Sequence, residues 1–102
     1  MALDFRVARL SFDPTTGRVQ NEPGSVNFAT RVIRADCALR GYNFRYNNGD
    51  HELLMMEIEI KNKAVNGTNV TFNVDFLLRD SSGNIDDPYS GFVEVLVIAD
   101  VS

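Results

Sequence analysis

Three observations in the sequence predict an all-β fold, a single antiparallel β-sandwich of about six or seven strands; a small barrel has the same periodicity and is the alternative. Apolar and polar residues alternate with a period of two through most of the chain, and no window longer than about ten residues shows helical spacing. Clusters of Gly, Pro, Asn and Asp recur at intervals of about ten residues, as turns between short strands do. The 102 residues, 44% of them hydrophobic, suffice for one core, so we expect one domain over residues 1–102.

The N-terminal segment, residues 3–20, reads as a hairpin that precedes the main core. A strand over residues 3–12 has Leu10 and Phe12 facing inward, and Asp13 to Gly17 carries the Pro and Gly of a turn. The remaining core is expected over residues 26–101. Its first long strand runs over residues 26–36, where Val26, Phe28, Thr30 and Val32 alternate with polar or small residues.

Three strands are expected in the middle of the chain. Over residues 37–46 the alternation places Arg40, Tyr42, Phe44 and Tyr46 on one face, a stripe that fits either a core or a platform for sugar rings. Asn47 to Asp50 is an Asn-Gly turn signal, which predicts a hairpin with the strand over residues 54–61. A turn around Asn66-Gly67 leads to residues 70–79, the most regular alternation in the chain.

The last strand, residues 91–101, is apolar on both faces. One face carries Val93, Val95, Val97 and Ala99; the other carries Phe92, Leu96 and Ile98 and is interrupted only by Glu94. Only one face of such a strand meets the core of a sandwich. We therefore expect the second face to be covered by another chain or by the N-terminal segment, and favour a homo-oligomer.

Charge and composition exclude several classes of partner. Ten Lys and Arg residues against fourteen Asp and Glu residues give a net charge of −4, the wrong sign for a nucleic-acid-binding domain. No apolar run approaches the roughly 18 residues of a membrane helix, so we expect a soluble chain without a membrane partner. The first residues lack the features of a secretory signal. We expect a cytoplasmic protein or one released by a non-classical route.

The sequence offers little that could support catalysis. His51 is the only histidine and Cys37 the only cysteine, and Cys37 lies among small residues at a strand start, so a Cys-His pair is disfavoured. Glu57 and Glu59 share one face of a strand, which is more typical of a solvated surface than of a general acid. Phosphate-binding and nucleophile motifs are absent from the sequence. We expect a protein that is not an enzyme and needs no cofactor.

Calcium is the one metal that the sequence leaves open. Asp80, Ser82, Asn84, Asp86 and Asp87 place oxygen atoms along one loop, the ligand type that calcium prefers. The spacing departs from an EF-hand, because Gly83 is fourth in the loop and Gly91 stands twelfth. Asp80, Asn84 and Asp86 are the candidate ligands; the alternative is an ordinary turn.

Two turns carry the side chains best suited to a polar ligand. Asn48, Asp50 and His51 lie in one turn, and Asp86, Asp87 and Tyr89 precede the last strand. Carboxylates and amides can bond to paired sugar hydroxyls, and Tyr89 could stack on a sugar ring. The alternative is that both turns are simply solvated.

Three stretches of residues 26–101 resemble a known family. They are the Phe28 strand leading to Ala38-Leu39-Arg40-Gly41, the segment Val70-Thr71-Phe72, and the closing Val93 to Ala99. Together they resemble the H-type lectin domain, the six-stranded sandwich of snail agglutinins and discoidins. The family's last strand commonly ends in Trp-Ile-Ala, whereas this chain has Val97-Ile98-Ala99 and no Trp.

The resemblance implies trimers or hexamers that bind carbohydrate of the N-acetylgalactosamine type near protomer boundaries. The leading expectation is thus a non-catalytic, oligomeric, lectin-like module that gains strength through multivalency. The rival expectation is a structural or assembly subunit whose C-terminal strand is a protein–protein interface. A calcium-dependent binding module is a third.

Overall fold

The computed structural model describes residues 2–15, 20–46, 53–80 and 89–102. Over these residues the chain forms six strands and no helix, which confirms the all-β prediction; no helix there could span a membrane. The strands are β1 (Ala2–Thr15), β2 (Gln20–Asn27), β3 (Val32–Tyr46), β4 (Leu53–Asn66), β5 (Asn69–Asp80) and β6 (Tyr89–Val101).

The strands form two antiparallel sheets of three. The front sheet has the order β1-β6-β3 and the back sheet the order β2-β5-β4, so β6 and β5 are the central strands. Five of the six described strands have 12 to 15 residues. At about 3.4 Å per residue such strands are 40–50 Å long. The molecule is accordingly elongated, with extents of 50 × 18 × 18 Å.

One hydrophobic core receives side chains from both sheets. β6 contributes Val93, Val95, Val97 and Ala99, and β5 contributes Val70, Phe72, Val74 and Phe76, all essentially inaccessible to solvent. The rings of Phe12 from the front sheet and Phe76 from the back sheet lie 4.0 Å apart between centroids. The inward alternation predicted for β5 and β6, and the inward positions of Leu10 and Phe12, are confirmed.

The connections between strands differ from the two hairpins that the turn residues suggested. β1 pairs with β6 and β2 with β5, so residues 3–20 join two sheets and do not form a two-stranded hairpin. β3 and β4 are likewise in different sheets. β4 and β5 do form a hairpin, with Gly67 at a φ of 65° in its turn. Turn residues allow a chain to reverse, but they do not determine which sheet the next strand joins.

The strand predicted over residues 26–36 is divided in the structure. β2 ends at Asn27, the chain crosses to the front sheet, and β3 begins at Val32. Backbone bonds hold the crossing: the N–H groups of Phe28 and Val32 donate to the carbonyls of Thr68 and Gly67, at 2.9 Å each. Phe28 and Val32 are both buried, which is why the alternation continues through the crossing.

A bulge in β3 changes the faces predicted for residues 37–46. Leu39 pairs with Val95 and Gly41 with Glu94, so Arg40 is the extra residue. A bulge reverses the side-chain alternation, which places Leu39 and Tyr42 on the same face rather than opposite ones. The ring of Phe44 packs edge-on against Phe12, whereas Tyr42 is half exposed.

Candidate functional site

The two faces of β6 differ in burial, as its sequence suggested. The inner residues Val93, Val95 and Val97 are fully buried. The outer residues Phe92, Leu96 and Ile98 are only partly buried by the flanking strands. Sheet pairing alone therefore leaves apolar surface on the outer side of the front sheet.

β1 extends this apolar surface. Phe5 pairs with Ile98 and Val7 with Leu96, so these side chains lie on the same face of the sheet. Leu3, Phe5 and Val7 are 68%, 53% and 41% exposed. We call Leu3, Phe5, Val7, Leu96 and Ile98 the apolar strip. A contiguous exposed apolar patch of this kind is typical of a protein interaction site.

Charged residues flank the apolar strip at one end. Arg9 of β1 donates from Nη2 to the Glu94 carboxylate of β6 at 3.0 Å, and its guanidinium carbon lies 4.1 Å from the centroid of the Phe92 ring. The ring and the carboxylate fix the position of a long cationic side chain. This end therefore presents one cation and one anion on neighbouring strands.

A second charged pair lies at the other end of the strip. Asp100 is only 6% exposed, and its Oδ2 lies 3.6 Å from Nε of the exposed Arg34. The other carboxylate oxygen, Oδ1, is buried and has no hydrogen-bond partner among the described residues. The pair lies in a recess of about 390 Å³ that is lined by Leu3, Arg34, Ala35, Asp36, Lys63, Ile98 and Asp100. A buried carboxylate oxygen without a donor is costly, so the recess is suited to a ligand that supplies one.

Cys37 follows Asp36, which lines this recess, and packs against the hydrophobic core. The Lys63 ammonium donates to the Ala35 carbonyl at 2.7 Å and lies 3.9 Å from the Asp36 carboxylate. Burial and the neighbouring Asp36 carboxylate raise the pKa of the Cys37 thiol, against the opposing effect of Lys63. The thiol is therefore mostly protonated near neutral pH, which is unfavourable for a nucleophile.

The back sheet carries a polar cluster that joins its three strands. The Asp75 carboxylate of β5 accepts hydrogen bonds from Lys61 of β4 and Asn21 of β2. These bonds lower the pKa of Asp75, and the same carboxylate raises the pKa of Lys61. All three groups satisfy one another, so the cluster is explained by strand pairing.

Most of the ligand residues predicted from the sequence lie outside the described residues. These are Asn48, Asp50 and His51 in the first turn, and Asn84, Asp86 and Asp87 in the second. The backbone of Asp80 pairs with Leu53 at the end of β5, and its side chain is also outside the description. Among the described residues, no three His, Cys, Asp or Glu side chains are grouped as a metal site.

Tyr89 is the one predicted ligand residue whose side chain is described. It is 0% exposed, its hydroxyl donates to the Phe76 carbonyl at 3.3 Å, and its ring packs edge-on against Phe12. The ring face is therefore occupied by the core of the chain itself. Asp100, Arg34 and the outer face of β1 were not predicted as site residues, although Leu3, Phe5 and Val7 alternate with Asp4 and Arg6 in the sequence.

Comparisons with protein-family models, with curated proteins and with solved structures find no match for this chain.

Proposed function

We propose that the chain is a non-catalytic β-sandwich subunit that assembles with further copies of itself through the outer face of the front sheet. The observation that carries this proposal is the apolar strip, which is exposed on β1 and only partly buried on β6. Burial of apolar surface is the dominant favourable contribution to most protein–protein association. This proposal combines the homo-oligomer expected from the sequence with the hypothesis of an assembly subunit whose C-terminal strand forms an interface.

The charges around the strip favour a second copy as the partner. Each end of the strip carries one arginine and one carboxylate, Arg9 with Glu94 at one end and Arg34 with Asp100 at the other. Two copies that pack face to face about a two-fold axis lying between their sheets, perpendicular to the strands, bring opposite ends of the strip together. Each arginine–carboxylate pair then lies opposite the other pair of the neighbouring copy. Symmetric pairs of this kind use one patch twice, as most homodimers do.

Sedimentation of the full chain over a range of concentrations tests this proposal. We expect association that the Leu96→Glu substitution weakens, because it buries a charge in the strip. Val65→Glu is the control, since Val65 is an exposed apolar residue on β4 of the back sheet. A wild-type chain that stays monomeric at every concentration contradicts the proposal, as does equal weakening by both substitutions.

Carbohydrate binding is the second candidate function, and the recess at Asp100 favours it. A sugar hydroxyl could donate to the unpartnered Oδ1 of Asp100 while Arg34 and Lys63 donate to other sugar oxygens. The apolar side chains of Leu3 and Ile98 could contact the C–H face of a sugar ring. This site is distinct from the two predicted turns, and the three would together serve a multivalent lectin.

A glycan array tests this second candidate. We expect the wild-type chain to bind at least one glycan, and Asp100→Asn to lose that binding if the recess is the site. Loss with Asp50→Ala or Asp86→Ala instead would assign the site to the turns. An array without any bound glycan contradicts carbohydrate binding.

A further inference from the structure

The outer edge of β1 is available for strand pairing. β1 pairs with β6 from Ala2 to Phe12 without a register shift. In the described part of the chain, no strand pairs with its other side, because β2 pairs with β5. A long and regular edge presents backbone donors and acceptors to any strand that aligns with it.

The backbone N–H and carbonyl groups of Phe5 are among those that face this open edge. The Phe5 N–H donates to Oδ1 of Asp4 at 2.8 Å, and Nη1 of Arg6 donates to the Phe5 carbonyl at 2.8 Å. Both groups thus bond to side chains of their own strand and lie on the side of β1 away from β6. Asp4 and Arg6 also pair with each other, at 2.9 Å. In the single chain, the side chains of Asp4 and Arg6 therefore occupy the hydrogen-bonding groups of Phe5 at this edge.

We propose that β1 pairs antiparallel with β1 of a second copy about a two-fold axis through Phe5. Phe5 then faces Phe5 of the second copy, and the two residues exchange their N–H and carbonyl bonds as a hydrogen-bonded antiparallel pair does. In the same register Asp4 faces Arg6, and Leu3 faces Val7. The Asp4–Arg6 and Leu3–Val7 pairs are each formed twice, since the contact is isologous, whereas the Phe5 pair lies on the axis and is formed once.

The sequence of β1 selects this register over its neighbours. A two-fold axis through Asp4 would place Asp4 opposite Asp4 of the second copy. An axis through Arg6 would place Arg6 opposite Arg6 of the second copy. Like charges directly opposite each other destabilise an antiparallel pair, whereas opposite charges stabilise it. An axis at Val7 places Phe5 opposite Arg9 and leaves Asp4 without a cation.

This inference goes beyond the proposed function, although it rests on the same self-association. Packing of sheet faces leaves the β1 edge open, and edge pairing makes one six-stranded front sheet from two copies. The two apolar strips then lie side by side as one larger surface, which a further pair can cover. Assemblies with an even number of copies follow from this arrangement.

Disulfide trapping tests the axis directly. In a Cys37→Ala background, we compare Phe5→Cys with Val7→Cys, mixed with oxidised and reduced glutathione. Residues at the axis have Cα atoms about 5.5 Å apart, within the range that a disulfide spans. The two copies of position 7 are four residues out of register, about 13 Å apart. We expect a covalent dimer for Phe5→Cys and none for Val7→Cys; equal trapping of both, or of neither, overturns the inference.

A charge exchange between chains gives a second and independent test. Asp4→Lys and Arg6→Glu each create like charges across the axis, so each should weaken self-association about tenfold. Mixing the two variants places opposite charges at both positions and should restore association. The ion pair within each chain stays broken in the mixture, so only pairing between chains explains a rescue. A mixture no stronger than its components contradicts the register.

The failure of this inference is distinguishable from failure of the proposed function. A monomeric wild-type chain contradicts both. An oligomer that Leu96→Glu weakens but that Phe5→Cys does not trap contradicts edge pairing alone. Persistence of the Phe5→Cys dimer in the presence of Leu96→Glu supports edge pairing as a separate contact.

Discussion

Replacing Phe76 by alanine removes the ring that joins the two sheets at the centre of the core. Phe76 is 0% exposed, and its ring contacts Phe12 at 4.0 Å and Phe44 at 5.7 Å between centroids. A buried aromatic side chain removes about 150–250 Å² from water, which at about 25 cal/mol per Å² corresponds to about 4–6 kcal/mol. Alanine retains part of this burial and the cavity collapses in part, so we expect a loss of about 3–5 kcal/mol.

Urea denaturation followed by far-ultraviolet circular dichroism measures this loss. The unfolding midpoint should fall while the slope stays constant, because the substitution changes stability and not the surface exposed on unfolding. Tyr42→Ala is the matched control: Tyr42 is half exposed, and we expect it to cost about 1 kcal/mol or less. A loss below about 1 kcal/mol for Phe76→Ala would refute the assignment of Phe76 to a shared core.

Three further predictions concern other parts of the chain. Gly91→Ala should lower the free energy of unfolding by about 2–3 kcal/mol in the same assay, because its methyl group would overlap the backbone carbonyl of Asn43; an unchanged midpoint contradicts the close strand approach. Lys61 holds the pKa of Asp75 below its ordinary value of 3.8. The stability that Asp75 contributes is therefore fully present above that value and is lost as the pH falls through the lower folded-state pKa. Asp75→Asn should be destabilising at neutral pH but not in strong acid. A stability difference between the wild-type chain and the variant that does not change with pH would contradict a contribution from the Asp75 charge. Burial raises the pKa of Cys37, so its thiol should react with iodoacetamide at mildly alkaline pH more slowly in the folded chain than in urea. Equal rates in both conditions would contradict the burial of Cys37.

The sequence predicted the strands well and their partners poorly. Alternation in β5 and β6 identified the buried residues because a strand buried on one face has a period of two regardless of its neighbours. The same turn signals at residues 13–17 and 47–50 suggested hairpins, yet both connections join different sheets. Which sheet a strand joins depends on long-range packing, such as the contact of Phe12 with Phe76, and local residue types do not encode it.

The candidate interaction surface was predicted in part. Phe92, Leu96 and Ile98 indicated that β6 has a second apolar face, and the structure confirms that these residues lie on its outer side. Their extension by Leu3, Phe5 and Val7 follows only from the pairing of β1 with β6. Asp100 was not foreseen either, because its buried and unpartnered oxygen depends on the packing at one end of the front sheet.

Solvent access to the methyl groups of Leu96 and Ile98 tests the self-association account most directly. In an NMR dilution series with a soluble paramagnetic agent, we expect these methyls to become protected as the chain concentration rises, while the methyls of Val65 on the back sheet stay accessible throughout. Protection that never develops, or that develops equally at Val65, would show that the front sheet is not the surface through which copies associate.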